Sequence, residues 1–441
     1  MNALLTDLYE LNMAASYLRR GMHEPATFSL FARKLPEARG FLVAAGVEAC
    51  LDFLEEFRFE AHDLAYLRDS LGFSHADTEA FRRLRFNGDV WAVPEGRVVL
   101  ADEPILEVTG SIAEAQLVET FLLNQVTFQT TIASKAARCV LAAQGSDLVD
   151  FGFRRTQGIE AGLAAARLSA IVGFAATSNV EAARRYGLAA SGTMAHSYIE
   201  AFRGEAEAFR AFATDFPGRT TFLVDTYDTM SGVRHAIAVI EQLGLRDGLG
   251  IRLDSGDLLD LSRRARRLLD AAGLQRVRII ASGGLDEFAI DELVLAGAPI
   301  DAFGVGTKMG VSADHPYLDT AYKLVWYGDR PMMKLSPRKV TAPGLKQVFR
   351  RRQGFGDRLG LREEPAPEGW EPVLERVMIG GRRTRRPSTI AAARLRFQAD
   401  LARLPEEAKR ITSPLPPPVR RTEALRRLAA TTSQSVLKEA V

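Results

Sequence analysis

The amino-acid sequence predicts an α/β protein: an incomplete (β/α) barrel of about seven parallel strands with an additional N-terminal α/β domain. Its first basis is an alternation of short apolar segments with helical patterns, which is typical of a parallel sheet joined by helices. The second basis is the number of apolar segments, because seven of them favour a barrel over an open sheet. The predicted strands are residues 148–152, 174–178, 189–193, 222–225, 250–254, 277–282 and 302–306.

The predicted helices between these strands carry apolar residues at three- and four-residue spacing, as helices that cover a barrel do. This alternation defines a central barrel domain at residues 112–340. Before it, residues 1–111 contain two or three short strands and form the predicted N-terminal α/β domain. After it, residues 341–441 form a partly helical C-terminal extension to which the sequence assigns no role.

The composition is that of a globular enzyme. The chain has 441 residues, of which 47% are apolar and 25% charged, and its net charge is +2. This length calls for two or three domains. No apolar run approaches the length of a membrane span, and the first residues lack the pattern of a secretory signal. We therefore expect a cytoplasmic protein with no membrane or nucleic-acid partner.

The cysteines and the basic clusters give weaker indications. Cys50 and Cys139 lie among apolar neighbours, which predicts buried free thiols, and neither has partners at metal-ligand spacing. A zinc site is therefore not expected. Two arginine-rich segments, residues 350–352 and 382–386, are interpreted as solvated surface, with phosphate or nucleic-acid contact as the alternative.

The ends of the predicted strands carry polar and glycine residues. In barrels of this kind the functional groups follow the carboxyl ends of the strands, where the loops surround one shared opening. The convergence of these residues at one end of the barrel is itself a site prediction. The residues concerned are Asp150, Ser178, Thr193, Asp225, Asp254, Ser282 and Gly306.

Two glycine-containing segments suggest a phosphate ligand. Ser282, Gly283 and Gly284 follow one of the last two predicted strands, and Gly306 and Thr307 follow the other. Backbone NH groups at these places often hold a phosphate, and glycine lets the anion approach. The alternative is that both segments are tight turns without a ligand.

Four aspartates follow two other predicted strands. Asp225 and Asp228 come after one strand, and Asp254 and Asp257 after another. Mg²⁺ prefers carboxylate, water and phosphate oxygens, so these side chains are candidate Mg²⁺ ligands, or ligands of ribose hydroxyls. Helix capping is the competing explanation, and we expect at least one of the four to be a cap.

Positive charge and one histidine complete the candidate set. Arg154, Arg155 and Arg252 suit a carboxylate or phosphate group and so indicate an anionic substrate, although Arg252 could instead pair with its acidic neighbours. His196 follows a predicted strand, where imidazole can act as a nucleophile toward phosphorus. A purely structural histidine is the alternative. No hydrolase motif accompanies it.

Taken in order, these motifs resemble those of nicotinate phosphoribosyltransferases, members of the type II phosphoribosyltransferase family. The resemblance covers about the first 340 residues. The segments that carry it are Thr6 to Tyr9, Asp150 to Arg155, Gly192 to Ser197, Asp225 to Asp228, Arg252 to Asp257, Ser282 to Asp286 and Gly304 to Thr307.

The resemblance implies a reaction of NAD biosynthesis. Nicotinate, phosphoribosyl pyrophosphate, ATP and water would give nicotinate mononucleotide, pyrophosphate, ADP and phosphate, with Mg²⁺ as cofactor and ATP as co-substrate. It also implies a homodimer in which the neighbouring subunit supplies the N-terminal tyrosine. The ring of nicotinate would lie between Tyr9 and Phe151, and Thr193 and Arg252 would contact nicotinate.

The resemblance also assigns the remaining site residues. Arg154, Gly283, Gly284, Gly306 and Thr307 would hold the phosphoribosyl group, and His196 would carry phosphate. Glycosyl transfer builds positive charge on the ribose and negative charge on the leaving pyrophosphate, which carboxylates, Mg²⁺ and arginines can stabilise. With His196, Asp225 and Asp254 are therefore the predicted catalytic residues.

Three other functions are alternatives to this one. A nicotinamide phosphoribosyltransferase would, by resemblance, have an aspartate near the end of the second strand, where this chain has Ser178. An acid there would repel nicotinate, so Ser178 favours nicotinate. A quinolinate phosphoribosyltransferase would need more basic residues and no phosphorylatable histidine. A non-catalytic barrel that binds phosphoribosyl ligands fits poorly with the presence of His196 and the acidic pairs.

Overall fold

A computed structural model describes residues 3–336 and 339–439. The chain forms two compact units. The first unit combines the residues up to Ser134 with those from Tyr317 onward, and the second is Lys135–Pro316. The divisions between the units, after Ser134 and after Pro316, differ from the predicted domain boundaries after residues 111 and 340. The C-terminal extension belongs to the first unit.

The strands are short and are distributed over both units. They are β1 (Pro25–Ala32), β2 (Leu42–Val43), β3 (Asp89–Ala92), β4 (Val98–Val99), β5 (Pro104–Ser111), β6 (Asp147–Asp150), β7 (Ala176–Thr177), β8 (Thr221–Leu223), β9 (Gly250–Leu253), β10 (Arg278–Ala281), β11 (Ala302–Val305), β12 (Thr320–Tyr327), β13 (Arg330–Pro331), β14 (Lys346–Arg351), β15 (Asp357–Leu361), β16 (Trp370–Pro372), β17 (Glu375–Ile379), β18 (Arg382–Arg383) and β19 (Val419–Arg421).

The helices vary from four to 25 residues. They are α1 (Leu8–Arg19), α2 (Val47–Glu56), α3 (Ala61–Asp69), α4 (His75–Arg83), α5 (Ile112–Leu117), α6 (Glu119–Ala143), α7 (Ile159–Val172), α8 (Val180–Tyr186), α9 (His196–Glu200), α10 (Glu205–Asp215), α11 (Thr229–Leu243), α12 (Leu258–Ala271), α13 (Glu287–Leu295), α14 (Thr307–Gly310), α15 (Ile390–Arg403), α16 (Glu406–Lys409) and α17 (Glu423–Glu439), with a 3-10 turn at Phe153–Arg155.

The second unit contains the predicted parallel sheet. Its six strands lie in the order β7-β6-β11-β10-β9-β8, and all neighbours are parallel. The sheet curls into a half-barrel, so the predicted fold class is confirmed. The predicted strand at 189–193 is reduced to one bridge, in which Ala190 pairs with Thr177.

Helices after the strands cover this sheet because their sequences are amphipathic. α11 buries Met230, Val233, Ala236 and Ile240, which recur at three- and four-residue spacing. The helices α11, α12 and α13, which follow β8, β9 and β10, each have an aspartate as N-cap. A carboxylate at this position accepts hydrogen bonds from the first free NH groups of the helix. These caps place each helix directly behind the end of a strand.

The first unit is built on an antiparallel sheet of seven strands in the order β13-β12-β1-β5-β3-β17-β18. Its strand β1 pairs with both β12 and β5. The rings of Phe28 on β1 and Tyr322 on β12 are stacked with their centroids 4.8 Å apart. A smaller four-stranded sheet, β16-β14-β15-β19, belongs to the same unit.

The two arginine-rich segments are partly structural, and their interpretation as solvated surface is wrong for two residues. Arg350 is fully buried and donates hydrogen bonds to Asp357 and Asp400. Arg383 forms ion pairs with three acidic side chains of α2, which are Glu48, Asp52 and Glu55. A sequence run of arginines does not show which of its members turns inward.

The prediction for the thiols is confirmed, because Cys50 and Cys139 are both buried and neither forms a disulfide.

Over residues 3–336 and 339–439, every helix is too short or too polar to cross a bilayer.

Replacing Arg350 with Met should destabilise the first unit strongly. The substitution leaves the buried carboxylate of Asp357 without its cation, and breaking a buried pair in this way typically costs about 3–5 kcal/mol. Arg352→Met is the matched control, since Arg352 is exposed, and we expect that change to cost less than about 0.5 kcal/mol. Urea unfolding of both variants measures the difference. Equal midpoints for the two would contradict the structural role of Arg350.

Candidate active site

The six parallel strands of the second unit end at one edge of the sheet, which we call the mouth. The residues that follow these strands therefore come close together although they lie far apart in sequence. They are Phe151 after β6, Ser178 after β7, Asp225 near the end of β8, Asp254 after β9, Ser282 after β10 and Gly306 after β11. Of the residues predicted to converge, Thr193, Asp254 and Ser282 are joined by their hydrogen bonds to Arg252.

Arg252, on β9, is held by side chains from three segments. Its Nε donates to Oγ of Ser282 over 2.7 Å, and its Nη1 donates to Oγ1 of Thr193 over 3.2 Å. Its Nη2 donates to Oδ1 of Asp254 over 2.6 Å. The guanidinium carbon also lies 5.4 Å from the centre of the Phe151 ring. Arg252 thus pairs with an acidic neighbour and still faces the predicted aromatic contact.

Asp254 shares this network. Ser282 donates its hydroxyl to Oδ1 of Asp254 over 2.5 Å. Burial opposes ionisation, but the hydrogen bond from Ser282 and the charge of Arg252 outweigh it and lower the pKa of Asp254. Asp254 is therefore an ionised carboxylate at neutral pH.

Asp225 supports the same segment from β8. Its Oδ2 accepts the backbone NH of Asp254 over 3.0 Å and the hydroxyl of Ser255 over 2.6 Å. Its other oxygen, Oδ1, is buried and has no hydrogen-bond partner among the described residues. A buried unpaired oxygen in a mouth of this kind needs a partner from outside the chain, such as a cation or a hydroxyl group.

The other two predicted aspartates are helix caps. Asp228 accepts the NH of Ser231 at the start of α11. Asp257 accepts the NH groups of Leu259 and Asp260 at the start of α12. In the part of the chain that the structure describes, no three His, Cys, Asp or Glu side chains form a group that could hold a metal ion. Of the four predicted aspartates, Asp225 and Asp254 are therefore the two that are not helix caps.

His196 is the first residue of α9 and lies beside this acidic pair. Its Nδ1 is 3.1 Å from Oγ1 of Thr226, and its Nε2 is 3.9 Å from Oδ2 of Asp254. The side chain is 40% exposed, so the ring is accessible to a ligand. Thr226 was not among the predicted residues, although it stands directly after Asp225.

The first glycine segment has a left-handed backbone, whereas Gly306 in the second has φ of −120°. Gly283 and Gly284 have φ of 90° and 66°, which side chains rarely adopt. A Cβ on Gly283 would also lie 1.8 Å from the carbonyl oxygen of Asp254. Only glycine can therefore occupy that position next to the mouth.

An ion pair that the sequence analysis missed links the two glycine segments. Lys308 follows Thr307 and donates to Oδ2 of Asp286 over 2.8 Å, and Asp286 caps α13. Burial alone would raise the pKa of Asp286, but the hydrogen bond from Lys308 outweighs this effect and lowers the pKa. A lysine directly after a glycine-rich turn was the signal in the sequence that could have revealed this pair.

Phe151 lies with its ring against β11. A Cβ on Gly304 would lie 2.5 Å from one ring carbon of Phe151 and 2.6 Å from another, so glycine at this position makes room for the ring. After β7, the neighbour of β6 on its other side, Ser178 is exposed. Phe151, Arg252 and Thr193 together provide an aromatic wall, a cation and a hydroxyl group, which suits a planar carboxylate ligand.

Three further predicted residues are exposed. Arg154 and Arg155, in the 3-10 turn after Phe151, form no ion pair with any described residue. Tyr9 belongs to the first unit, where its side chain on α1 is 48% exposed. The two guanidinium groups and the exposed part of Tyr9 are accessible to a ligand or a second chain.

Comparisons with known proteins agree over most of the chain. A model of the nicotinate phosphoribosyltransferase (NAPRTase) N-terminal domain matches residues 4–127, and one of the nicotinate phosphoribosyltransferase (NAPRTase) family matches residues 146–326. A model of the nicotinate phosphoribosyltransferase C-terminal domain matches residues 355–429. The resemblance thus extends beyond residue 340, where the sequence analysis ended it.

Relatives and solved structures point the same way. Nicotinate phosphoribosyltransferase pncB2 of Mycobacterium tuberculosis is 48% identical over 414 residues, covering 93% of this chain and 89% of its own. The Bacillus subtilis nicotinate phosphoribosyltransferase is 44% identical over 357 residues, covering 79% and 73%. The crystal structure of human nicotinic acid phosphoribosyltransferase superposes with a TM-score of 0.85 at 30% identity, covering 97% of this chain and 99% of that one. The chain therefore belongs to the nicotinate phosphoribosyltransferase family, enzymes of NAD biosynthesis.

Proposed function

We propose that the mouth of the second unit joins nicotinate to phosphoribosyl pyrophosphate and couples this transfer to ATP through a phosphorylated His196. The observation that carries the proposal is the shared carboxylate of Asp254. It holds Arg252 on one oxygen and lies 3.9 Å from His196 on the other. One carboxylate thus connects the proposed nicotinate contact to the proposed phosphate carrier.

In this proposal, nicotinate lies against the ring of Phe151. Its carboxylate contacts Arg252 and Thr193, and the exposed Ser178 adds no negative charge near it. The phosphoribosyl group is bound by the exposed arginines Arg154 and Arg155 and by the backbone of the glycine segments, which are Gly283, Gly284, Gly306 and Thr307. Both substrates are anions, and these residues supply positive charge and NH donors.

Transfer then depends mainly on positioning and electrostatics. The ring nitrogen of nicotinate has a free lone pair and needs no general base. As pyrophosphate leaves, positive charge develops on the ribose, and the ionised Asp254 and its neighbour Asp225 stabilise that charge. The fixed hydrogen bonds of both carboxylates mean that they need not reorganise during the reaction.

Mg²⁺ fits the same place. Proteins bind Mg²⁺ through one or two carboxylates together with substrate phosphates, and Oδ1 of Asp225 is a buried oxygen without a partner in the described chain. Asp225 and Asp254 would hold the ion, while Asp228 and Asp257 are engaged as caps. When bound, Mg²⁺ would neutralise negative charge on the leaving pyrophosphate.

The coupling to ATP is a phosphoryl transfer to His196. A ring nitrogen forms a bond to the γ-phosphorus, the bond from that phosphorus to the bridging oxygen breaks, and ADP leaves. Water later takes the phosphoryl group and releases phosphate. While phosphorylated, His196 adds negative charge beside Asp254, which changes the affinity of the mouth for its anionic ligands.

We also propose that the active enzyme is a cytoplasmic homodimer. The support for the dimer is the exposure of Leu5, Leu8 and Tyr9 before and at the start of α1, with relative exposures of 50%, 50% and 48%. In the proposed dimer, Tyr9 of one copy closes the nicotinate site against Phe151 of the other. Both anionic substrates and ATP are intracellular metabolites, which supports the location.

Substrate choice tests the carboxylate contact. Ser178→Asp should lower kcat/KM for nicotinate by about tenfold or more, because a like charge near the bound carboxylate costs at least about 1.4 kcal/mol. Ser178→Asn has a similar size without the charge and is the matched control. Steady-state assays with nicotinate and nicotinamide measure both variants. Equal nicotinate efficiencies in the two variants would show that Ser178 is not near the carboxylate.

The role of His196 is tested by labelling. His196→Ala should abolish nicotinate-stimulated ATP hydrolysis and leave slow, ATP-independent transfer, because other residues contact the substrates. His235→Ala is the control, since His235 pairs with Glu205 on neighbouring helices and has no proposed role. Each variant is incubated with γ-labelled ATP and assayed for acid-labile protein phosphate. Undiminished labelling of the His196 variant would show that His196 is not the residue that carries phosphate.

Sharing of the site between two copies is tested by mixing inactive chains. Tyr9→Ala and Arg252→Ala chains carry their defects in different units, so a heterodimer should contain one intact shared site. We expect recovery of up to about half the activity per dimer, because one of two sites is restored. Heterodimers purified through two different tags provide the sample. A purified heterodimer without activity would contradict the shared site.

A further inference from the structure

A buried carboxylate in the second unit has no role in the proposed chemistry. Asp150, the last residue of β6, is fully buried, and no cation pairs with it among the residues described. Burial raises the pKa of Asp150, although hydrogen bonds from Gly152 and Thr177 oppose the shift. Burying a carboxylate without a cation is costly, so packing alone does not explain an aspartate at this position.

The first hydrogen bond of Asp150 fixes the turn that carries Phe151. Oδ1 accepts the backbone NH of Gly152 over 2.8 Å, which closes the chain around Phe151. The NH of Phe151 donates to the carbonyl of Val305 over 2.8 Å on the neighbouring strand. Together with the space left by Gly304, these contacts determine where the ring stands.

The second hydrogen bond fixes the turn that carries Ser178. Oδ2 accepts the hydroxyl of Thr177 over 2.7 Å, and the same hydroxyl accepts the NH of Asn179 over 3.0 Å. The NH of Ser178 donates to the carbonyl of Asp150 over 2.8 Å. Ser178 is thus held on both sides by contacts that begin at Asp150.

We propose that Asp150 is a positioning residue for the nicotinate site, because its two carboxylate oxygens hold Phe151 and Ser178 in register with each other. This inference rests on the proposed placement of nicotinate between these residues. Asp150 does not touch the substrate. It acts through the hydroxyl of Thr177 on one side and the NH of Gly152 on the other.

Two substitutions remove the same bond from opposite ends. Asp150→Asn keeps one oxygen for Gly152 but presents an amide NH₂ to Thr177, whose hydroxyl proton then loses its acceptor. Thr177→Val removes the hydroxyl without changing the shape. We expect each variant to raise KM for nicotinate by about tenfold, the effect of one unsatisfied buried group. KM for phosphoribosyl pyrophosphate should stay within about twofold.

The controls separate positioning from loss of stability. Thr220→Val removes a comparable buried bond, from the Thr220 hydroxyl to the carbonyl of Phe216 over 2.8 Å, outside the nicotinate site. It should leave both KM values unchanged. Thr177→Ser restores the hydroxyl and should recover the KM for nicotinate. The double variant Asp150→Asn with Thr177→Val should be no worse than the poorer single one, since both act on one bond.

The outcomes distinguish this inference from the proposed placement of nicotinate. Phe151→Ala is assayed in parallel, and an unchanged KM for nicotinate in that variant would overturn the placement itself and the inference with it. A raised KM in Phe151→Ala with unchanged values in Asp150→Asn and Thr177→Val would overturn only the inference about Asp150. Equal loss of kcat in these two variants with both KM values preserved would also overturn it, because a purely structural residue reduces the active fraction.

Discussion

Arg252 uses all three of its guanidinium nitrogens to contact Ser282, Thr193 and Asp254, which come from three different segments of the second unit. Because these partners are part of the chain, the orientation of the cation does not depend on a ligand. The same contacts place Ser282 and Asp254 relative to each other. A cation of fixed orientation beside an aromatic ring is a preorganised receptor for a planar anion, and such a receptor loses little energy to reordering when the anion binds.

Several predicted site residues lie close together where their position follows from the end of a strand. Arg252, Asp254 and Asp225 lie at or near the ends of two neighbouring strands, and His196, at the start of α9, lies beside them. The sequence could not distinguish Asp225 from Asp228, since both are aspartates in one short motif. The difference is that Asp228 meets the free NH groups of a helix, while Asp225 meets the backbone of the next strand.

Other features depended on contacts that no local pattern records. Thr226 gains importance because its hydroxyl lies beside His196, thirty positions away. The segment at 189–193 was predicted as a strand, but in the described chain it forms a single bridge to β7, between Ala190 and Thr177. Arg350 looked like part of a charged surface, and its inward direction follows from Asp357 and Asp400, which lie outside its sequence neighbourhood.

The pairing of β1 with β12 affects how the chain folds during synthesis. Arg33, just after β1, forms an ion pair with Asp319, which lies 286 positions further along the chain. The second unit is continuous, so it can fold as soon as its own residues have left the ribosome. The first unit must wait for β12, and until then one edge of β1 lacks its neighbour. Synthesis of the first unit therefore begins before that of the second unit, but its folding is completed later. During that interval a chaperone that shields strand edges would act on β1.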